Sequence, residues 1–333
     1  MSLLLLNEDE LRQIVTIAEA IDLIKTAFVA LAEGRIDLPG SFALKVPEKK
    51  GEIQVQGTYL KEAPYYAVRI SSYFQDNPAS NLPLQSGLSC VFKADTGFPA
   101  AILVDNGYLS LIRIAAAGAL AADLLAHRRL DHVAVIGSGY GAYMQLKALM
   151  TVRNVKTVSV WAPSWISADD YAQSMLEEYD VEIQVAPSIE TAVRPADLII
   201  TVGGSPHPLI KAGWLKPGVH ITAVGCYGLV KQELSVEVLA KADVIIADHF
   251  NQCAAFGEIR YGLEAGVISK ADVQGELADL IVGHLPGRTA AEQITLADLT
   301  ALDGQDSLVA TYVLQKARFL GLGQRLAESS LVK

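Results

Sequence analysis

A strand-like run, His132-Val133-Ala134-Val135-Ile136, leads directly into Gly137-Ser138-Gly139-Tyr140-Gly141-Ala142, and no other feature constrains the fold of this chain as strongly. The pattern is G-x-G-x-x-A. Gly137 permits a tight turn, Gly139 lets backbone approach a pyrophosphate, and the small Ala142 allows close helix–strand packing. The residues after it, Ala142 to Met150, predict a helix whose N-terminal N–H groups and dipole favour negative charge. A second β-branched run, Val155 to Trp161, follows at the spacing of a βαβ unit. The expectation is a parallel sheet with a dinucleotide across the turn. The competing reading is an ordinary strand–helix turn in another α/β domain.

With 333 residues, 51% of them hydrophobic, the chain has material for two cores. A net charge of −10 argues against nucleic acid or an anionic membrane surface as partner and favours a small-molecule role. Three scattered cysteines, Cys90, Cys226 and Cys253, suit neither a disulfide framework nor a metal site, and fit a reducing compartment, with cytoplasm the default. Met1 to Leu6 is apolar but short and runs into Asn7-Glu8-Asp9-Glu10, a helix-capping pattern rather than a secretion signal. The richest apolar stretch, Ile114 to Ala126, is interrupted by Asp123 and reads as too short for a bilayer.

Along the chain, Thr16-Ile17-Ala18-Glu19 reads as a capping box opening a helix that Gly34 closes. Short β-rich runs follow: Ser41–Val46, Glu52–Thr58, Tyr65–Ile70, Leu88–Phe92 and Phe98–Val104, with a hairpin turn at Asp95-Thr96-Gly97. They predict an antiparallel sheet or partial barrel. Leu109 to His127 reads as one Ala-rich helix at the domain junction. Beyond it, strands at Val181–Ala186, Asp197–Val202, His220–Val224 and Val244–Ala247 alternate with helical segments, which predicts a doubly wound parallel sheet. Asp306 to Leu320 predicts a last helix that returns to the first domain. The expected division is residues 1–115 with 306–333 as one domain, for dimerisation and substrate, and 116–305 as the dinucleotide domain.

Several ordered motifs give this chain a resemblance over nearly its full length. They are Leu103-Val104-Asp105-Asn106-Gly107-Tyr108-Leu109, Arg113 before Ala115-Ala116-Ala117, the glycine run, Trp214-Leu215-Lys216-Pro217-Gly218, Lys231-Gln232-Glu233-Leu234, and Gly257-Glu258. The chain resembles the ornithine cyclodeaminase and mu-crystallin family. Phe74-Gln75-Asp76-Asn77-Pro78, Gln252-Cys253 and Pro286-Gly287-Arg288 bring it nearest the ectoine-utilisation EutC-like branch. The resemblance implies a homodimer, an N-terminal domain that forms the substrate pocket, and a Rossmann domain carrying NAD(P). Arg113 matches the arginine that holds the substrate carboxylate, a role suited to a bidentate guanidinium. Arg69 stands where relatives have a catalytic lysine, and Tyr227 where cyclodeaminases have an aspartate. Arginine stays charged, so Arg69 suits anchoring rather than proton exchange, while Tyr227 can donate a proton.

The cofactor residues expected at the strand ends are Gly137, Ser138, Gly139, Tyr140, Gly141, Ala142, Ser164, Thr201, Val202, Gly203, Val224 and Gly225. The second strand ends in Trp161-Ala162-Pro163-Ser164, without the acid that takes ribose hydroxyls in NAD-preferring sites, which leans toward NADP. The histidines suggest solvated or capping roles, with His207 as an outside candidate. No metal site is expected. The leading reading is an NAD(P)-dependent oxidoreductase acting on the C–N bond of a small amino or imino acid through Arg69, Arg113 and Tyr227. The alternatives are an ammonia-releasing cyclodeaminase with bound NAD, and a cofactor-dependent binding protein without turnover.

Overall fold

The computed structural model describes residues 2–37, 41–80, 82–225, 231–301 and 305–327. The chain divides into two compact units, Met1–Arg113 with Asp303–Lys333, and Ile114–Leu302. In chain order the strands of the first unit are β1 (Ser2–Leu6), β2 (Ile36–Asp37), β3 (Ser41–Val46), β4 (Gly51–Leu60), β5 (Tyr65–Phe74), β6 (Gln85–Lys93) and β7 (Pro99–Leu103). The second unit has β8 (Leu130–Ile136), β9 (Val155–Trp161), β10 (Glu182–Val185), β11 (Leu198–Thr201), β12 (His220–Ala223), β13 (Val244–Ala247), β14 (Val273–Glu276) and β15 (Thr295–Asp298). A last strand, β16 (Gln324–Ala327), belongs to the first unit.

In the first unit the strands run β16-β1-β7-β6-β5-β4-β2, with β3 on β4. Strands β3 to β7 pair antiparallel, as their alternating runs and the Asp95-Thr96-Gly97 turn predict. The whole sheet is mixed, because a strand outside that stretch joins it. Ser2–Leu6 is a strand parallel to β7. Its leucine run conceals the alternation: Leu4 and Leu6 are buried while Leu3 and Leu5 are less so. The helix Ile17–Ala32 opens on the reciprocal Thr16–Glu19 capping box, and Gly34 beyond its end takes a left-handed φ of 66°. The final helix, Asp306–Leu320, packs on β4 and β5 and buries Val309, Val313, Leu314 and Ala317.

In the second unit every strand pair is parallel, in the order β10-β9-β8-β11-β12-β15-β13-β14. Successive residues of β8 enter different cores, Ala134 and Ile136 one and Val133 and Val135 the other, so both faces of the sheet are covered. This is the doubly wound arrangement. The short β14 and β15, Val-Gln-Gly-Glu and Thr-Leu-Ala-Asp, lack the apolar runs that mark the other strands, yet β15 lies between β12 and β13. The helix Tyr108–Leu125 is long and apolar enough by composition to cross a membrane, and 72% of it is buried within the structure. His220 departs from the solvated role expected of the histidines. It is fully buried between Thr222 and Thr295, and burial pushes its pKa down to about 3.

Candidate functional site

The order of the second unit's sheet places its topological switch between β8 and β11, so the loops after β8, β9, β11 and β12 share the carboxyl edge where ligands of such sheets bind. Gly137 takes a φ of 132°, closed to other residues, and a Cβ there would lie 3.0 Å from the Val202 carbonyl carbon. Its N–H donates to the Trp161 carbonyl, and the Val202 N–H to that of Ile136, so the turn is stitched to both neighbouring strands. Gly139 is the N-cap of the helix Tyr140–Val152, makes no side-chain cap, and has open space where a Cβ would stand. The N-cap residue thus supplies no side-chain acceptor at the start of that helix, and a glycine turn running into a helix N-terminus is an arrangement that receives a phosphate. Ala142 is buried and accepts from the Tyr171 hydroxyl. Ser164 caps the helix Trp165–Glu178, its Oγ accepting from the Ser167 N–H. These residues fit a dinucleotide.

At the ends of β11 and β12, the Thr201 carbonyl accepts from both Val224 and Gly225 N–H groups. Glu233 is wedged behind them. Its Oε1 accepts from the Ser205 N–H at 3.3 Å, and a Cβ on Gly225 would lie 1.8 Å from its Oε2. Glu258 in turn accepts from the N–H groups of Glu233 and Leu234, Asp298 from that of Ile259, and Asp248 from that of Thr300. Burial pushes all four carboxyls up, Asp298 to about 7. Among the described residues no group of three such side chains is placed to hold a metal ion. Each accepts from at least one backbone N–H, and Asp248 also from Cys253 Sγ and the Thr300 hydroxyl, so they fix loops at the carboxyl edge of the sheet.

The first unit holds a different kind of site. Arg69 on β5 shares a face with Tyr65 and Ala67, because side chains alternate along a strand, and it stands in a cross-strand row with Gln56 on β4 and Ser89 on β6. All three are buried, and so is Thr58, two residues along β4 on the same face. Arg69, 1% exposed, donates to Ser89 and pairs with Asp105 at 3.1 Å. Asp105 also accepts from the Leu109 N–H, which caps the incoming helix after the left-handed pair Asn106 and Gly107. One turn on, Arg113 donates from Nε to the Leu109 carbonyl and pairs from Nη2 with Asp306 at 3.3 Å. Arg113 is 4% exposed, buried as its apolar neighbours predict. A continuous chain, Arg69–Asp105–Leu109–Arg113–Asp306, therefore joins the two arginines.

Of the residues singled out from sequence, Tyr227 and Cys226 lie outside the described residues. Ser138, Gly139, Tyr140 and Gly141 line the turn, Thr201, Val202 and Gly203 the end of β11, and Val224 and Gly225 the end of β12. His207 is exposed, on a loop after β11. Sequence reasoning missed Glu233, Asp298, Asp105 and Asp306 as parts of a site. Asp105 had a legible signal, standing before Asn-Gly at the start of a helix; the others acquire partners distant in sequence.

The family model described as ornithine cyclodeaminase/mu-crystallin matches residues 2–319. An uncharacterized cyclodeaminase of Sinorhizobium fredii is 36% identical over 94% of this chain and 95% of its own. Among solved structures, an archaeal alanine dehydrogenase dimer with bound NAD superimposes with a TM-score of 0.92 at 31% identity, covering 99% of this chain and 100% of the other. The Thermococcus litoralis Δ1-pyrroline-2-carboxylate reductase, in complex with NADH and L-proline, gives 0.93 at 27% identity, covering 97% and 100%. The chain belongs to the ornithine cyclodeaminase/mu-crystallin family.

Proposed function

We propose that this protein is an NAD(P)-dependent oxidoreductase that interconverts C–NH and C=N at the α-carbon of a small amino or imino acid. The observation that carries the reading is the Gly137–Gly139 turn, stitched to both flanking strands and followed by a helix N-terminus with no side-chain cap. Its similarity to an alanine dehydrogenase and a pyrroline-2-carboxylate reductase supports chemistry at a C–N bond. The nicotinamide ring, when bound, supplies or accepts the hydride. Residues 137–142 hold the pyrophosphate, and Thr201, Val202, Gly203, Val224 and Gly225 hold the nicotinamide half. Arg113 orients the substrate through its carboxylate, with Arg69 as second anchor, and Tyr227 supplies the proton at nitrogen. Preorganised positive charge and orientation then account for much of the rate.

NADP is the proposed coenzyme. The end of β9 carries no acid to repel a 2′-phosphate, and the Ser164 hydroxyl, although it accepts from Ser167, keeps its own proton to donate. A homodimer is proposed through the first unit: the similar archaeal alanine dehydrogenase is a dimer, and Phe42 and Leu44 are exposed on the edge strand β3 of this unit. The free thiols of Cys90 and Cys253 suit a cytoplasmic location, which fractionation checks. Light scattering tests the dimer.

Activity is tested by following oxidation of NADH and NADPH with a panel of cyclic imino acids and of 2-oxo acids with ammonia. Turnover with at least one is expected. Cofactor binding without turnover across the panel would favour a binding protein, and ammonia release from ornithine with no net cofactor change would identify a cyclodeaminase.

A further inference from the structure

Asp306 opens the helix Asp306–Leu320 without capping it. Its Oδ1 faces Arg113 Nη2 at 3.3 Å, and its Oδ2 makes no hydrogen bond among the described residues. Gln305, in the capping position, makes no side-chain cap either. The Asp306 side chain is 5% exposed, so bulk water does not serve the bare oxygen, and a buried acceptor without a donor calls for an explanation.

The charges restrict what an occupant can be. Arg113 and Asp306 cancel, so a ligand bearing only a carboxylate meets repulsion from Asp306 as it approaches the guanidinium, and in a dry site that repulsion is strong. A ligand with a carboxylate and a cationic nitrogen on the same carbon offers each side chain its opposite charge. The two groups of an α-amino or α-iminium acid lie one carbon apart, which matches side chains in direct contact.

We propose that Asp306 receives the positively charged nitrogen of the substrate, so that the Arg113–Asp306 pair selects zwitterionic α-amino and α-iminium acids over 2-oxo and other plain carboxylic acids. The proposal rests on the reading of Arg113 as the carboxylate anchor. It makes Asp306 a specificity-determining residue for the same reaction.

The test is calorimetric binding to the NADPH-loaded protein of two matched pairs, L-proline against tetrahydrofuran-2-carboxylate and L-alanine against propionate. In the wild type the zwitterion of at least one pair should bind about tenfold more tightly than its analogue, the size of a hydrogen bond to a charged group. Asp306→Asn should bring that ratio close to one, and Asp306→Glu should restore part of it. A ratio near one in the wild type, or a ratio that survives Asp306→Asn, overturns the proposal and indicates that an ordered water satisfies Oδ2. Should Asp306→Asn not fold by circular dichroism, the wild-type ratio and the Asp306→Glu variant decide. Arg113→Lys separates the two levels of argument. If it weakens both members of a pair while the ratio survives Asp306→Asn, only the role of Asp306 falls; if it changes neither, the anchor itself is wrong. Absence of binding by all four probes removes both.

Discussion

The two units bury charge in opposite ways. In the first, Arg69 and Arg113 are each matched to a buried aspartate, so charge meets charge. In the second, Glu233, Glu258, Asp298 and Asp248 lie at the carboxyl edge of the sheet and are held by backbone N–H groups. An ion pair can exchange a partner for a ligand of the right sign, which suits recognition of a small charged molecule. A carboxyl bonded to peptide groups fixes the path of a loop, which suits a surface that a large ligand lies along. Under the proposed function, the first unit reads charge and the second shapes backbone.

The strongest way to break this contrast is Arg113→Ala. It should lower kcat/KM about a thousandfold and, by leaving Asp306 buried alone, cost about 3 kcal/mol of stability. Steady-state kinetics beside a denaturant titration measures both, and a loss under about tenfold in kcat/KM would detach Arg113 from substrate binding.

Asp298→Asn probes the second unit through pH. The folded pKa of Asp298, about 7, lies above the ordinary value of 3.8, so the stability associated with its protonated form is complete below about 4 and is lost as pH rises through 7. The asparagine variant should therefore flatten the fall in melting temperature across that window, an effect on the order of 4 kcal/mol at pH 8. His220 works in the other sense: its folded pKa of about 3 is depressed from 6.5, so the stability it contributes is present above 6.5 and lost as pH falls toward 3. Identical pH profiles for wild type and Asp298→Asn would show that this carboxyl is not held as described.

Gly225→Ala sharpens the shaping role, since the new methyl meets Glu233 Oε2. A loss of about 2 kcal/mol is expected, partly recovered when Glu233→Ala is added. Additive losses in the double variant would mean that the two do not touch. The smallest effect belongs to Ser164→Ala, which should reduce the affinity for NADPH about threefold and leave that for NADH unchanged. Equal losses for both coenzymes would confine Ser164 to capping its helix.

Much of the architecture was legible because it is written in local terms. Thr16 and Glu19 announce a helix start, Asp95-Thr96-Gly97 a hairpin, and Gly137 to Ala142 a strand–turn–helix, each by residues a few positions apart. The strand β1 was not legible, since a run of leucines carries no period, and β15 was hidden because four residues ending in aspartate look like a loop. The arginines could be singled out from sequence, whereas the pairing with their partners could not. Asp105 and Asp306 stand 36 and 193 positions from the arginines they pair with, and nothing local marks them as counter-charges.

Sequence alone determined that this chain builds a doubly wound sheet with a glycine turn ahead of a helix, because glycine's freedom at φ > 0 and the apolar period of strands act over a few residues. The tertiary structure decided which charges are neutralised and by whom. Burial makes an isolated charge costly, and only the fold brings a distant aspartate to each arginine and a peptide N–H to each buried acid.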